Sequence, residues 1–439
     1  MRNLQFPESF VNVVSMFQKN FSKPSFEYFN ILLSAILLGQ PRKTVTAGLR
    51  LLNPKGHFSN ACRFLSHYVW DAADLGLSVL TMAINSFGMK APFLFALDDT
   101  LVAKYGPKIF GRGLHFNHTG KPNEPRYING HNWVVLGLLH FSTLFSKWIC
   151  LPILADLFVP ELVLPKGKEF KSRTRLAIDL LRKLKNHVKG ELTIVADGLY
   201  AKTSLVNFCL SEGITFISRL RSDAALYQSA QDATGRRRRG RPRKYGKRLP
   251  KLEQMAKNKE HFKKYNLTLY GESHQLYIKS FEALWKPAGQ FIKVLMVYFD
   301  GAKTASYFFS TDLSLSDTQI IQWVAARFSI EIVFGDLKEH LGLTDWQCRV
   351  QKAVVRSVPL TCVATTLLVL WSYGQSHRKQ LGLWNKYAWY SNKASPSIHD
   401  MVQQLKAECI SKTIFQALPQ KAISKQKYHQ IELFLRAAA

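Results

Sequence analysis

Two short apolar runs, each closed by an acid, restrict what this chain can fold into. Phe93-Leu94-Phe95-Ala96-Leu97 leads into Asp98-Asp99-Thr100, and Leu192-Thr193-Ile194-Val195-Ala196 leads into Asp197-Gly198. Runs this short and this continuously apolar fit strands covered on both faces, as in a parallel or mixed sheet packed between helices. Their neighbours support that reading. Residues 133–140 and 148–154 read as two further strands, a helix rich in Arg and Lys spans about 171–188, and a helix at 203–210 precedes a strand at 214–218. A strand, helix, strand succession implies an α/β sheet, whose strand ends open onto a common ligand-binding crevice.

Around this centre the pattern changes twice. Residues 1–88 carry apolar residues at helical spacing in 10–17, 28–38 and 77–87, with polar, basic turns between them, so a helical N-terminal domain suited to DNA binding is expected. Residues 220–310 open with a polar basic stretch and continue as alternating runs at 267–270, 276–278 and 292–299, which read as a β-rich insertion. Helices return at 317–341 and 354–373. The most apolar stretch, 358–373, contains Pro359, Thr361, Thr365 and Thr366 and is short for a bilayer span, so it reads as a buried helix. Five units follow: a helical domain at 1–88, the α/β core in two parts at 89–219 and 311–375, the β-rich insertion at 220–310, and a helical C-terminal region at 376–439.

The 439 residues include 60 Lys+Arg against 30 Asp+Glu, a formal charge of +30. An excess that large points to a polyanionic partner, of which nucleic acid is the commonest. The six cysteines lie without CxxC pairs or Cys/His spacing, which suggests a reducing compartment and argues against structural zinc. The N-terminus has no continuous apolar core of the kind a signal peptide needs.

One helix carries charge where chemistry would need it. At roughly 100° per residue, Arg327, Glu331 and Lys338 fall within about 40° of one another. Ile330, Val333, Phe334, Leu337 and Leu341 form an apolar stripe beside them. The plain reading of Arg and Glu four apart is an exposed salt bridge. The alternative is a metal-binding acid flanked by phosphate-binding cations. An acid at each of two strand ends and a third on this helix would repel one another unless cations were bound, and two Mg²⁺ ions, which take carboxylate, water and phosphate oxygens, would resolve that.

In this combination the chain resembles bacterial insertion-sequence transposases of the DDE class, whose catalytic core has an RNase H-like fold. In that family the first Asp is often followed by Thr, as in Leu97-Asp98-Asp99-Thr100, and the second follows an apolar strand, as in Ile194-Val195-Ala196-Asp197. The Glu lies in a Y-x2-R-x3-E-x6-K signature, and Arg327-x3-Glu331-x6-Lys338 matches its last three positions. The Tyr position is Val324, with Trp323 beside it. The resemblance covers roughly residues 90–375, including a β-rich insertion between the second Asp and the Glu.

The resemblance implies an α/β fold with an RNase H-like core, and a transposase that cleaves insertion-sequence DNA ends and transfers the strand. Asp99, Asp197 and Glu331 would be catalytic and hold two Mg²⁺ ions, with Mn²⁺ able to substitute. Asp99 is preferred because the Asp-Thr order matches the family; Asp98 is the alternative. Arg327 and Lys338 would contact phosphates. The expected partners are double-stranded DNA, as terminal inverted repeats and target, and a second copy of the chain in a homodimer on that DNA. The expected place is the bacterial cytoplasm, at the nucleoid, with no membrane partner.

Inside the insertion, residues 235–248 contain no acid, and the Arg-Gly-Arg-Pro core around Arg239, Arg241, Arg243 and Lys244 resembles an AT-hook, whose arginines lie in a narrow minor groove. This supports a rival function, a non-enzymatic architectural or regulatory DNA binder. A nuclease of the same fold without strand transfer is a second rival. Tyr245, Trp285 and Tyr298 are candidates to stack on an unpaired base.

Overall fold

The computed structural model describes residues 4–54, 56–117, 123, 125–230, 244–379, 393 and 395–417. Five helices come first: α1 (Glu8–Ser15), α2 (Lys23–Leu38), α3 (Val45–Leu52), α4 (Ser59–Ser66) and α5 (Ala72–Ser86). The last starts where Asp71 accepts from the N–H groups of Ala73 and Asp74, a side-chain cap for otherwise unpaired donors.

The sheet begins with β1 (Phe93–Ala103), β2 (Gly113–Phe116), β3 (Tyr127–Ser142) and β4 (Lys147–Phe158). It continues, after α6 (Arg173–His187), with β5 (Leu192–Ala196), α7 (Thr203–Ser211) and β6 (Ile214–Arg219). The core order is β4-β3-β1-β5-β6. β1 and β4 run antiparallel to β3, whereas β1, β5 and β6 are mutually parallel. This mixed sheet is the arrangement expected of an RNase H-like core.

The β-rich region follows as β7 (Leu226–Ser229), β8 (Tyr245–Arg248), α8 (Leu252–Lys257), β9 (Lys263–Leu269), β10 (Glu272–Trp285), β11 (Gln290–Phe299) and β12 (Ser306–Ser310). It continues the same sheet: β12 pairs antiparallel with β6, through Phe309↔Ser218. Hydrogen bonding therefore runs unbroken from the core into the inserted strands, twelve in all among the described residues.

Among the described residues four helices follow: α9 (Asp317–Arg327), α10 (Ser329–Glu339), α11 (Gln351–Lys379) and α12 (Ile398–Ala417). The expected single helix over 317–341 is broken at Phe328. There the Phe328 N–H turns to the Ala325 carbonyl three residues back, and the Ser329 hydroxyl takes the Ala326 carbonyl at 2.7 Å. Arg327 and Glu331 thus flank a kink.

α11 is the buried helix expected from the apolar stretch. Gln351–Gln375 is long and apolar enough to cross a membrane, but 94% of its most apolar window is buried inside the protein. Its hydroxyls are satisfied internally: Thr361 and Thr365 donate to carbonyls four residues back, and Thr366 donates to the Pro152 carbonyl of β4 at 3.0 Å. The N-terminal helices pack against α11 in a continuous core. Arg356 fastens them, lying 4.3 Å over the Trp70 ring and donating to the carbonyls of Leu65, Tyr68 and Trp70.

Candidate functional site

The register of β1 against β5 determines which acids meet. Their parallel pairing ends at Leu97↔Ala196, so the next residue on each strand is Asp98 and Asp197. Residues in register on adjacent parallel strands sit side by side and turn to the same face. β1 itself does not stop at its acids, as the sequence suggested. It runs on to Ala103 because β3 stays paired with it to Ala103↔Gly130 after β5 has ended. The acids therefore lie mid-strand, where the parallel neighbour falls away and leaves a crevice. Asp197 caps the following turn, accepting from the Leu199 N–H at 3.4 Å.

Helices α9 and α10 cover this point. Arg327, at the end of α9, donates through Nη1 to Asp98 and through Nη2 to Glu331 Oε1 at 2.8 Å. The salt bridge that Arg and Glu four apart suggest is thus formed, with Asp98 as a third member. Glu331 is more open, with 43% of its side chain exposed against 15% for Asp98. Burial pushes the Asp98 carboxyl up to about 7, against the pull of Arg327, and the nearby Asp99 and Asp197 push the same way. Asp98 and Glu331 both favour the Arg327 cation, and Asp197 adds to that field. Among the described residues no three acids, histidines or cysteines are grouped closely enough to hold a metal ion. The guanidinium itself joins Asp98 to Glu331.

Asp99, the acid preferred from the sequence, faces elsewhere. Adjacent strand residues turn to opposite sides. Its carboxylate accepts from Asn132 Nδ2 at 2.9 Å, Arg173 Nη1 at 3.1 Å and the Tyr200 hydroxyl at 3.2 Å. Asp98, the alternative acid, is the one beside Asp197 and Arg327. Asp99 instead ties β1 to β3, to the start of α6 and to Tyr200, three residues past Asp197. Nothing in the local sequence marks Asn132, Arg173 or Tyr200 for this network, because all three are distant in the chain.

A cleft of about 240 Å³ opens at the site, lined in part by Asp197, Arg219, Tyr270, Val324, Arg327 and Phe328. Arg219 and Tyr270 were not anticipated. Arg219 also lines an adjoining 420 Å³ cleft with Gly198 and Arg221. Lys338 is half-buried two turns beyond Glu331, and burial lowers its pKa. Of the basic run, Lys244 is exposed, whereas Arg239, Arg241 and Arg243 lie outside the described residues. Trp285 is packed against Phe309 at 4.7 Å and only 6% exposed, so it serves the sheet rather than a base. Tyr298 is likewise engaged, donating to the Ala256 carbonyl at 3.2 Å.

Comparison with known families gives two matches in sequence along the chain. Residues 17–269, more than half of the chain, match the family described as DDE superfamily endonuclease. Residues 263–376 match the family described as Archaeal putative transposase ISC1217. Asp98 and Asp197 fall in the first match, and Arg327, Glu331 and Lys338 in the second. No curated protein matches the chain.

Proposed function

This chain belongs to the DDE superfamily of endonucleases, and from that premise we propose that it is a transposase that cuts the ends of its own DNA element and joins the freed 3′-hydroxyl to a target. Nuclease or transposase activity on DNA follows from the family; strand transfer and the terminal repeats as substrate are our reading. The carrying observation is the register that sets Asp98 beside Asp197 under Arg327 and Glu331.

Enzymes of this superfamily are as a rule divalent-metal dependent, and the acids of this site are the oxygen donors such a cation takes, although Arg327 stands between Asp98 and Glu331. Two carboxylates, Asp98 and Glu331, share one guanidinium with Asp197 in its field, and Asp98 is costly to keep as a buried bare anion. Asp98, Asp197 and Glu331 would hold two Mg²⁺ ions, or Mn²⁺ in their place, with Asp98 taking the role first expected of Asp99. Metal bound there would polarise the scissile phosphate and activate the attacking oxygen.

The chain's own groups do the rest. Arg327 pairs with Asp98 and Glu331, and its planar fork also suits a phosphate. Lys338 offers a point charge to the next phosphate, and burial makes that charge more dependent on an anionic partner. Arg239, Arg241, Arg243 and Lys244 would grip DNA away from the cut, and the helices of residues 1–88 would contribute further contacts. Cutting two ends together calls for two active sites, so the working form is a homodimer on DNA, acting at the nucleoid in the cytoplasm.

The test uses labelled duplexes carrying the inverted repeats that flank the gene. Glu331→Gln should bind them as the wild type does, yet neither cut nor join them in Mg²⁺. A mutant that still cuts removes Glu331 from the site. Cut but never joined ends from the wild type would reduce the enzyme to a nuclease.

A further inference from the structure

β3 outruns its core partners. β1 accompanies it as far as Ala103↔Gly130 and β4 as far as Asn132↔Phe158, and from Gly130 down to Tyr127 its partner is β2, ending at Phe116↔Tyr127. The β2–β3 hairpin therefore projects past the core strands. Paired residues share a face, and every second residue along a strand returns to it. Asp98 pairs with Val135, so it shares its face with His131, Tyr127, Leu114 and Phe116.

The layer that covers this face is last anchored beside His131. There the segment between α10 and α11 is held by Lys104, which donates to the Thr344 and Trp346 carbonyls, and by the Phe110 N–H, which donates to the Arg349 carbonyl. His131 Nε2 in turn meets the Phe110 carbonyl at 2.9 Å. Farther along, Leu114, Phe116 and Tyr127 are 60%, 48% and 57% exposed. The Phe116 and Tyr127 rings touch edge-on at 5.5 Å, so the three make one apolar ridge.

The ground around the ridge is basic. Residues 100–130 carry Lys104, Lys108, Arg112, Lys121 and Arg126 against a single acid, Glu124, and Arg349 and Lys352 are exposed on the adjoining segment. A symmetric contact with a second copy would set these like charges against one another, whereas duplex DNA neutralises them. Sheet order also separates the ridge from the insertion: β3 and β2 lie on one side of β1, and β5, β6 and the inserted strands on the other. With the transposon end held by Arg327, Lys338 and the insertion, as proposed above, the β3 side is left for the target. Eight residues of β3 separate Val135 from Tyr127, about 27 Å of strand and the length of roughly eight base pairs.

We propose that Leu114, Phe116 and Tyr127 form a wedge for target DNA: the ridge enters the minor groove roughly eight base pairs from the point of joining, opens one base step and bends the duplex toward the acids. Apolar side chains inserted this way unstack a step and kink the duplex, and Lys108 and Arg126 would hold the phosphates on either side. A core hairpin thereby serves the target while the insertion serves the transposon end. This rests on the strand-transfer reading above.

The test uses the full chain, precut terminal-repeat duplexes and a target duplex labelled at both ends for energy transfer. In Ca²⁺, where bending is read without chemistry, the wild type should bring the target ends together, and a Leu114→Ser, Phe116→Ser double variant should leave the target straight. In Mg²⁺ the double variant should cut terminal repeats within about threefold of wild type, yet join them to an intact target about tenfold more slowly or worse. A target with a short mismatch at the wedge position kinks easily and should restore joining to within about threefold. Phe116→Trp keeps the wedge and should bend and join as the wild type does. Normal bending by the double variant overturns the proposal, as does cutting lost together with joining, or a mismatch that rescues nothing. So does a double variant that sediments as a monomer on terminal repeats where the wild type is a dimer, since that marks a subunit contact. A wild type that bends the target but never joins it refutes strand transfer and keeps the wedge.

Discussion

Asp98 and Asp99 are neighbours whose replacement by Asn should produce opposite results. Asp99 accepts three hydrogen bonds, and Asn can keep most of them by turning its oxygen to Asn132 and Arg173 and its amide to the Tyr200 oxygen. The loss is then mainly the charge on the Arg173 bond, worth roughly 1.5–3 kcal/mol when charge-assisted. The Arg173 side chain is 29% exposed, which argues for the lower part of that range, about 2 kcal/mol. An unfolding entropy of about 2.1 cal/mol/K per residue makes 1 kcal/mol worth roughly 1 °C for a cooperative chain of this length, so the melting point should fall by about 2 °C. Asp98→Asn replaces a carboxyl whose proton the folded protein holds up to about pH 7, well above its ordinary value near 3.8. A raised carboxyl favours the fold while protonated, and that contribution is lost as pH rises from about 4 through 7. Above pH 7 the Asn variant should therefore be as stable as wild type or more so, while its cutting activity is abolished. Scanning calorimetry at pH 7.5 with end-labelled DNA cleavage reads both. Cleavage that survives Asp98→Asn but is abolished by Asp99→Asn, with an unchanged melting point, would refute the register argument and return the metal to Asp99.

Other outcomes follow from the same geometry. Because Asp98 must lose its proton to bind metal, Mg²⁺ or Mn²⁺ affinity measured by titration calorimetry should fall about tenfold per pH unit below about 7; Asp98→Asn should flatten that dependence. Arg327→Ala leaves Asp98 and Glu331 without their shared cation, so the metal-free protein should lose stability, and Mn²⁺ should raise its melting point more than it raises the wild type's. Replacing Arg239, Arg241, Arg243 and Lys244 together by Ala should lower the slope of log affinity against log salt by up to about 3.6, at roughly 0.9 per phosphate contact. An unchanged slope would show that the run does not touch DNA.

The limit of what could be read from the sequence lies in β1. The strand and its acids were legible because an unbroken apolar run needs only local composition to identify it. The same continuity hides its faces: a strand buried on both sides has no alternation, so nothing local says whether Asp98 or Asp99 turns toward the helix that carries Glu331. That is decided by the pairing of Leu97 with Ala196, ninety-nine residues away, and a slip of one position would exchange the two acids. The extension of β1 past its acids is equally nonlocal, being imposed by β3. On the helix the spacing of Arg327 and Glu331 survived the kink at Phe328, since four residues still bring the pair into contact at 2.8 Å. Tyr270 had no such signal, because a hairpin tip acquires meaning only from what it is folded against. The paired acids are then not redundant: one strand step sets a carboxylate against Arg327 on one face and, on the other, the anchor that binds β1 to Arg173 and Tyr200 and so fixes where Asp98 and Asp197 stand.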